Sequence, residues 1–223
     1  MSHVIVSTIS DSIVENLFSN LLILVSPDKQ KRISKFRFDI DRKLSLYSEL
    51  LVRHKIREDL GIPNSEIVFS KNEHGKPYLQ GYNDYHFNIS HTKNAIAAAF
   101  SKKDIGVDVE RIQPCDMKIA ERFFSPEETA YIRNQPDNDK AFYEIWTKKE
   151  AYIKYLVTGL STSLQSFSVL QSEIDTTIYT FNKGEYIVSV CYEDVIDKKP
   201  TAVILTETEL EIMLKNLLIK FKP

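Results

Sequence analysis

The sequence predicts an α+β protein made of two subdomains, each with an antiparallel sheet packed by helices. Short β-branched segments alternate with longer segments in which apolar residues recur every three or four positions. The chain has 223 residues, enough for two domains of roughly 100 residues each. A charged break at 102–104 lies near its middle. We therefore expect an N-terminal subdomain over residues 1–103 and a C-terminal subdomain over residues 104–223.

The N-terminal half begins with a predicted strand over Val4–Ile9, where β-branched residues partly alternate. A helical segment is expected over Ser26–Gly61, because apolar residues repeat at helical spacing and stop at Gly61, with Pro63 two residues later. Glycine- and asparagine-containing turns then separate short segments that favour strands. These predicted strands are Ile67–Ser70, Tyr85–Ile89 and Ala95–Phe100.

The C-terminal half opens with a predicted strand over Ile105–Val109. A helix start is expected at Ser125–Glu128, since serine can cap, proline suits the first helical position and Glu128 completes a capping box. A longer helix is predicted over Asp139–Val157, followed by strands and a last helix. The strands are Phe167–Leu170, Thr177–Phe181, Tyr186–Tyr192 and Ala202–Leu205, and the last helix is Glu207–Phe221.

Composition excludes several classes of protein. The formal net charge of −2 and the pI near 6.2 give no general attraction to nucleic acid, so we expect no nucleic-acid partner. Cys115 and Cys191 are too few for a disulfide framework and lack zinc-site spacing, which favours a reducing cytoplasm. The most apolar stretch, Leu17–Val25, is too short to span a bilayer, so we expect no membrane partner.

Asp108 and Glu110 are the first candidate site residues. They stand two apart on a predicted strand, so both side chains project from the same face. Two carboxylates this close repel each other unless a cation compensates, and paired carboxylate oxygens suit Mg²⁺. From spacing alone, a pair that simply faces water remains the other interpretation.

The long predicted helix carries the next candidates. Glu150 and Lys154 lie one turn apart, so they are either an ordinary surface pair or a third metal ligand beside a phosphate contact. Glu128 also has two interpretations. It can complete the capping box, or it can act as a general base if a hydroxyl comes within hydrogen-bond reach.

Phosphate contacts are expected from side chains, because the sequence has no Walker loop and no dinucleotide-binding glycine motif. Ser90 and His91 end a predicted strand, where they are either structural or donors to phosphate. Lys76 and an early basic run add positive charge, although most of that run is expected to be solvated. The run consists of Lys29, Lys31, Arg32, Lys35, Arg37, Arg42 and Lys43.

Taken in order, several motifs resemble those of the Sfp-type 4′-phosphopantetheinyl transferases. The resemblance covers roughly residues 29–170, and its strength comes from the order of the motifs, since each alone is weak. The matching stretches are Gly75–Pro77, Phe87–His91, Ile105–Glu110, Arg122–Ser125 with Glu128, Trp146–Lys154 and Gly159–Ser161.

The resemblance implies a monomer of two similar subdomains related by a pseudo-twofold, with coenzyme A in the cleft between them. It implies Mg²⁺ as cofactor, held by Asp108, Glu110 and Glu150. Glu128 would be the base for an incoming serine, with Glu110 or a metal-bound water as alternatives, and Lys154 would neutralise the pyrophosphate. The residues expected to bind coenzyme A are Lys76, Ser90, His91, Lys154, Lys31 and Lys43. Leu44 stands where the family often has a basic residue, so the residue that holds the 3′-phosphate stays open.

The activity implied by this resemblance is transfer of the 4′-phosphopantetheine group from coenzyme A to a serine of an apo acyl or peptidyl carrier protein. The second product would be 3′,5′-ADP. A magnesium-dependent phosphodiesterase or nuclease remains an alternative from the carboxylates alone. It would use water instead of a serine as the acceptor and would release free phosphopantetheine or cut nucleic acid. A carrier-binding module without catalysis is the non-enzymatic alternative.

Overall fold

The computed structural model describes residues 2–156, 162–175, 177–193 and 199–219. The helices are α1 (Glu15–Leu22), α2 (Pro27–Ile33), α3 (Asp39–Leu60), α4 (Met117–Phe123), α5 (Pro126–Arg133), α6 (Asn138–Leu156), α7 (Ser172–Asp175) and α8 (Glu207–Lys215). The strands are β1 (His3–Thr8), β2 (Phe69–Lys71), β3 (Pro77–Leu79), β4 (His86–Thr92), β5 (Ala95–Ser101), β6 (Ile105–Arg111), β7 (Ile178–Lys183), β8 (Tyr186–Tyr192) and β9 (Thr201–Leu205).

The first sheet has four strands in the order β4-β5-β1-β9. Neighbouring strands are antiparallel except β1 and β9, which run parallel. The long helix α3 packs on this sheet, and Leu46 and Leu50 share a buried cluster with Ile96 and Phe100 of β5. Strands β2 and β3 form a separate antiparallel hairpin.

The second sheet has three antiparallel strands in the order β6-β8-β7. Helix α6 packs directly against β6 and β8. Gly106 allows this close approach, because a Cβ there would overlap the backbone carbonyl oxygen of Ala151 in α6. The helix that carries Glu150 is therefore held against the strand that carries Asp108.

The two sheets share a buried core between them. The apolar side chains on alternate positions of β1 and β5 meet those of β6 and β8. The β5 contribution is small, since Ala95, Ala97 and Ala99 face this core, and small side chains let the sheets approach closely. The molecule is thus layered as helices, first sheet, second sheet and helices.

The two halves repeat one order of elements. Each half begins with a strand, continues through short helices to a long helix, and then reaches a pair of antiparallel strands, the second of which lies inside the sheet. In the second half, β9 and α8 follow this repeat. Thus β1, α3, β4 and β5 correspond to β6, α6, β7 and β8. The predicted α+β class with two similar subdomains is confirmed.

The end of the described chain returns to the first sheet. Strand β9 pairs with β1, and helix α8 packs against α3. Glu207 at the start of α8 pairs with the ammonium group of Lys43, and Glu211 accepts a hydrogen bond of 2.9 Å from the Tyr47 hydroxyl. A boundary between 103 and 104 stays a prediction, and these segments from the second half complete the first sheet and its core.

Two local predictions were wrong. The expected single helix over Ser26–Gly61 is two helices, because the backbone is extended at Phe38, the residue before α3. Phe167–Leu170 is not a strand, since its backbone groups serve a buried ion pair. The Phe167 carbonyl accepts from Lys149, and the Val169 amide donates to Glu128.

Parts of three predictions lie outside the described residues. These are the end of the predicted helix at Val157, the stretch Gly159–Ser161 and the end of the last helix at Phe221. Within the described ranges, none of the helices combines the length and the apolar character that crossing a membrane requires.

Candidate active site

Three polar side chains of β4 reach across to β6. They occupy alternate positions of the strand, so they lie on one face. The hydrogen bonds are Val107 N to Asn88 Oδ1 at 2.9 Å, Ser90 Oγ to Asp108 Oδ1 at 2.7 Å and Thr92 Oγ1 to Glu110 Oε2 at 2.8 Å. These bonds join the edges of the two sheets and fix both carboxylates of β6.

The junction of β4 with β6 and α6 is called the seam below. Asp108 is buried at its centre, with 3% of its surface exposed. Its Oδ1 atom accepts from Ser90 and lies 2.6 Å from Nζ of Lys154 on α6. The same ammonium group is 3.1 Å from Ser90 Oγ. The other carboxylate oxygen of Asp108, Oδ2, is buried and has no hydrogen-bond partner among the described residues. A buried carboxylate oxygen of this kind is available to accept from water or to bind a cation.

Glu110 and Glu150 bring further negative charge to Asp108. Burial, with repulsion from Asp108, raises the pKa of Glu110 to about 7, although the Thr92 hydrogen bond and Lys154 oppose this. Burial and the Asp108 charge also raise the pKa of Glu150. The two glutamates are thus harder to ionise, because they are partly buried and lie near the Asp108 charge.

The chemistry of this set fits a divalent cation. With all three carboxylates ionised, Lys154 leaves the site with a formal charge of −2, which one Mg²⁺ would balance. Asp108 Oδ2 offers an oxygen without a partner. In the described part of the chain, no three His, Cys, Asp or Glu side chains are already arranged as a metal site. Mg²⁺ commonly needs only a few protein carboxylates, because waters and substrate phosphates complete its shell.

A basic cavity of about 370 Å³ lies beside His91, between α3, the β2–β3 hairpin and β4. Partial burial and the charges of Lys154 and Lys29 lower the pKa of His91. The Ser48 hydroxyl, which is also part of the lining, is buried without a partner among the described residues. The cationic and hydroxyl side chains of the lining are Lys29, Arg32, Lys71, Ser45, Ser48 and Ser70. Such a cavity can accept a phosphate-rich ligand.

The ammonium groups of Lys43 and Lys76 have protein partners, and their contacts with coenzyme A stay a prediction. Lys43 is buried at 2% exposure and pairs with Glu207, so its charge is used between α3 and α8. The ammonium group of Lys76 donates to the backbone carbonyls of Ile105 and Lys154 at 2.9 and 2.8 Å. Lys31 lies exposed on α2 and is not one of the described residues that line the basic cavity.

Of the two predicted interpretations of Glu128, the structure shows the capping role. The Ser125 amide donates to its Oε2 atom and the Ser125 hydroxyl accepts from its amide, which is a complete capping box. Its Oε1 atom accepts from the Val169 amide and from Lys149, and both side chains of this ion pair are fully buried. A carboxylate enclosed and bonded in this way has no access to an incoming hydroxyl, so the geometry does not support Glu128 as the base.

Sequence reasoning missed Asn88 and Thr92, which flank Ser90 on the same face of β4. A signal was present, because polar residues at three alternate positions of a short strand predict a common polar face. Lys29 and Arg32 were part of the basic run, but charge alone did not separate them from its solvated members. Their position on α2, opposite the hairpin, requires the tertiary fold.

Comparisons with known proteins agree with the motifs. The model of the 4′-phosphopantetheinyl transferase superfamily matches residues 104–206, and the model described as 4′-phosphopantetheinyl transferase, N-terminal, matches residues 13–103. The chain is 37% identical over 179 residues to the 4′-phosphopantetheinyl transferase gsp of Aneurinibacillus migulanus, covering 79% of this chain and 75% of that protein.

Two further relatives differ in their origin. The 4′-phosphopantetheinyl transferase Sfp of Bacillus subtilis (strain 168) is 37% identical over 147 residues, which are 65% of this chain and 66% of that protein. The L-aminoadipate-semialdehyde dehydrogenase-phosphopantetheinyl transferase of Xenopus laevis is 34% identical over 158 residues, covering 63% of this chain and 52% of that protein. The similarity thus spans both sheets and reaches bacterial and animal proteins.

Proposed function

The chain belongs to the 4′-phosphopantetheinyl transferase superfamily, and we propose that the seam between β4, β6 and α6 is where it transfers 4′-phosphopantetheine. Coenzyme A is the donor, and the acceptor is a serine of an apo acyl or peptidyl carrier protein. The observation that carries this proposal is the joining of Ser90, Asp108 and Lys154 in one hydrogen-bonded group, next to the basic cavity. Anion-binding and cation-binding groups thus meet at one place.

Asp108, Glu110 and Glu150 would hold Mg²⁺ in this proposal. Their support is the partnerless Asp108 oxygen and the raised pKa values of both glutamates, which a cation would relieve. When bound, Mg²⁺ supplies positive charge that stabilises the pyrophosphate oxygens during the transfer. Lys154 holds the other Asp108 oxygen, Oδ1, and its side chain is 27% exposed, so its ammonium group would also be available to a phosphate beside the metal.

The nucleotide half of coenzyme A would occupy the basic cavity. Its phosphates are anionic, and Lys29, Arg32 and Lys71 bring three positive charges to the lining, against one negative charge from Glu49, which lies 3.4 Å from Lys29. His91 lies in the same cavity and directly follows Ser90 of the seam. This arrangement would place the 3′-phosphate end in the cavity and the pyrophosphate towards Asp108.

The transfer is a displacement at phosphorus. The serine oxygen of the carrier forms a bond to the phosphorus that bears pantetheine, and the bond from that phosphorus to the oxygen of 3′,5′-ADP breaks. Lys154 stabilises the negative charge that develops on the pyrophosphate oxygens. The hydroxyl proton would go to a carboxylate oxygen of Glu110. Thr92 holds only one of its oxygens, so the other can face substrate or metal.

The carrier would dock near α4. This helix follows β6, the strand that carries Asp108 and Glu110. Phe123 is 38% exposed, and the Arg122 guanidinium lies 5.1 Å from its ring centre. An exposed apolar side chain beside a cation suits the acidic helical surface expected of a carrier protein. In this proposal the protein acts as a monomer in the cytoplasm. Its carrier protein would belong to fatty-acid, polyketide or nonribosomal peptide synthesis.

The test is intact-mass analysis of a purified apo carrier protein incubated with this protein, coenzyme A and Mg²⁺. We expect the carrier to gain the mass of one phosphopantetheine group. The gain should disappear with a chelator or with Glu150→Ala. Glu144→Ala is the matched control, since Glu144 lies on the same helix and pairs with Lys140. Release of free phosphopantetheine without carrier modification would instead establish a phosphodiesterase.

A further inference from the structure

The side chain of Lys76 joins three elements at one point. It extends from the turn of the β2–β3 hairpin, and its ammonium group donates to the carbonyls of Ile105, the first residue of β6, and Lys154, in the last turn of α6. The described lining of the basic cavity includes its neighbours Gly75 and Pro77 but not Lys76. Resting on the function proposed above, we propose that Lys76 is a positioning residue, which fixes the end of α6 on β6 and so aligns Lys154 with Asp108.

The two carbonyls need a donor from outside their own elements. The last four carbonyls of a helix have no partner within the helix, and Lys154 lies in that part of α6. A cation is also favourable there, because the carbonyl end of a helix is its negative end. Ile105 is fully buried, so its carbonyl is far from bulk water. One partly buried ammonium group, that of Lys76, serves both acceptors.

The contact between α6 and β6 is too close to tolerate small shifts. Gly106 is the residue after Ile105, and a Cβ there would overlap Ala151 O and Tyr155 N of α6. Lys154 projects from this same turn to bond Asp108 and Ser90. A change in the height of the last turn therefore moves the ammonium group that contacts the pyrophosphate, without altering any substrate contact directly.

The hairpin makes this junction continuous with the basic cavity. Asn72 Oδ1 accepts from the amides of His74 and Lys76 at 3.0 and 2.8 Å, which holds the turn. Gly75 has a φ of 82°, a left-handed conformation that favours glycine. Gly75 and Pro77 face the cavity while Lys76 faces the junction. The hairpin, which would contact the nucleotide, is thereby attached to β6 and α6.

Steady-state kinetics of carrier modification separate positioning from phosphate binding. Lys76→Met should lower kcat by about tenfold or more with the KM for coenzyme A changed less than about threefold, because no substrate contact is removed. Lys71→Met is the matched control, since Lys71 lies on the same hairpin but lines the cavity. It should raise the KM and leave kcat nearly unchanged. A raised KM with normal kcat in Lys76→Met, or normal values of both, would overturn the proposal.

Hydrogen exchange of the full chain tests the junction without any substrate. Amides in the last turn of α6 should exchange faster in Lys76→Met than in the wild type or in Lys71→Met, and equal rates would refute the positioning role. If Lys76→Met does not fold, Lys76→Arg keeps the charge but changes the donor geometry. Positioning then predicts a lower kcat, whereas a phosphate contact predicts wild-type values. An inactive wild type would refute the proposed function, and hydrogen exchange would still decide the role of Lys76.

Discussion

Three neighbouring lysines of α6 make ion pairs of the same length in different surroundings. Lys148 with Asp175, Lys149 with Glu128 and Lys154 with Asp108 each have an N–O distance of 2.6 Å. The Lys149 pair is sealed at 0% exposure, whereas the Lys148 pair is solvated through the Asp175 side chain, which is 51% exposed. The Lys154 pair lies between them, with a carboxylate side chain that is 5% exposed and a lysine side chain that is 27% exposed.

The comparison teaches that distance does not reveal what an ion pair does. Around Glu128, every acceptor direction has a donor, from Ser125, Val169 and Lys149. Around Asp108, one oxygen has no partner in the described chain, and two more carboxylates add repulsion. A fully bonded pair stabilises the fold, whereas an incompletely bonded one can bind a metal or substrate.

The largest effect on stability is expected at the sealed pair. Glu128→Gln leaves the Lys149 ammonium group buried and without a counterion, so the free energy of unfolding should fall by about 3–5 kcal/mol. Urea unfolding measures this. The double variant Glu128→Leu with Lys149→Met should lose less than the single variant, because no charge is left buried. A stable Glu128→Gln protein with strongly reduced transfer would restore Glu128 as the general base.

Asp108→Asn should produce the opposite pattern. Asparagine can still accept from Ser90, and Lys154 is 27% exposed and can be partly solvated, so we expect the free energy of unfolding to fall by only about 1–2 kcal/mol. The rate of carrier modification should fall by at least ~100-fold, because the carboxylate that would hold Mg²⁺ and that pairs with Lys154 loses its charge. A large loss of stability together with intact turnover would make Asp108 structural.

Local periodicity predicted most of the elements but not their partners. The spacing of two in β6 and of four in α6 was enough to place Asp108 with Glu110 and Glu150 with Lys154. The parallel pairing of β9 with β1 joins the two ends of the chain, and no local pattern carries that information. Stretch 167–170 resembled a strand for the same reason, since only the tertiary fold directs its backbone groups to Lys149 and Glu128.

Charge was the least informative sequence signal for the site. Lys29, Lys43 and Lys76 look alike in sequence, yet the first lines the basic cavity, the second pairs with Glu207 and the third donates to two carbonyls. A lysine side chain is long and flexible, so its position in sequence does not fix the place of its ammonium group. The motif order identified the family, and the structure was needed to assign these roles.

Repulsion among Asp108, Glu110 and Glu150 should make the free energy of unfolding depend on pH when no metal is bound. The folded protein raises the pKa of Glu110 from an ordinary 4.5 to about 7, so folded Glu110 binds more protons than the unfolded chain between these values. Its contribution is fully present below pH 4.5 and is lost as pH rises through 7. For this partly solvated group we expect a loss on the order of 1 kcal/mol.

Urea midpoints of the wild type and Glu110→Gln across this pH range isolate that contribution, since Glu150 titrates in both proteins. The wild type should lose stability relative to the variant as pH rises, and saturating Mg²⁺ should reduce this difference. Parallel pH curves for the two proteins without metal would show that Glu110 is not under the repulsion that the site geometry implies.

The smallest effect is expected at the solvated pair. Lys148→Ala removes an ion pair in which the Asp175 side chain is 51% exposed, so water replaces the lost partner at little cost. The free energy of unfolding should fall by only about 0.5 kcal/mol or less, and the effect should shrink further in high salt. Turnover should stay near wild type. Because this pair has the same 2.6 Å length as the sealed one, a loss comparable to that of Glu128→Gln would mean that length, and not burial, controls these contributions.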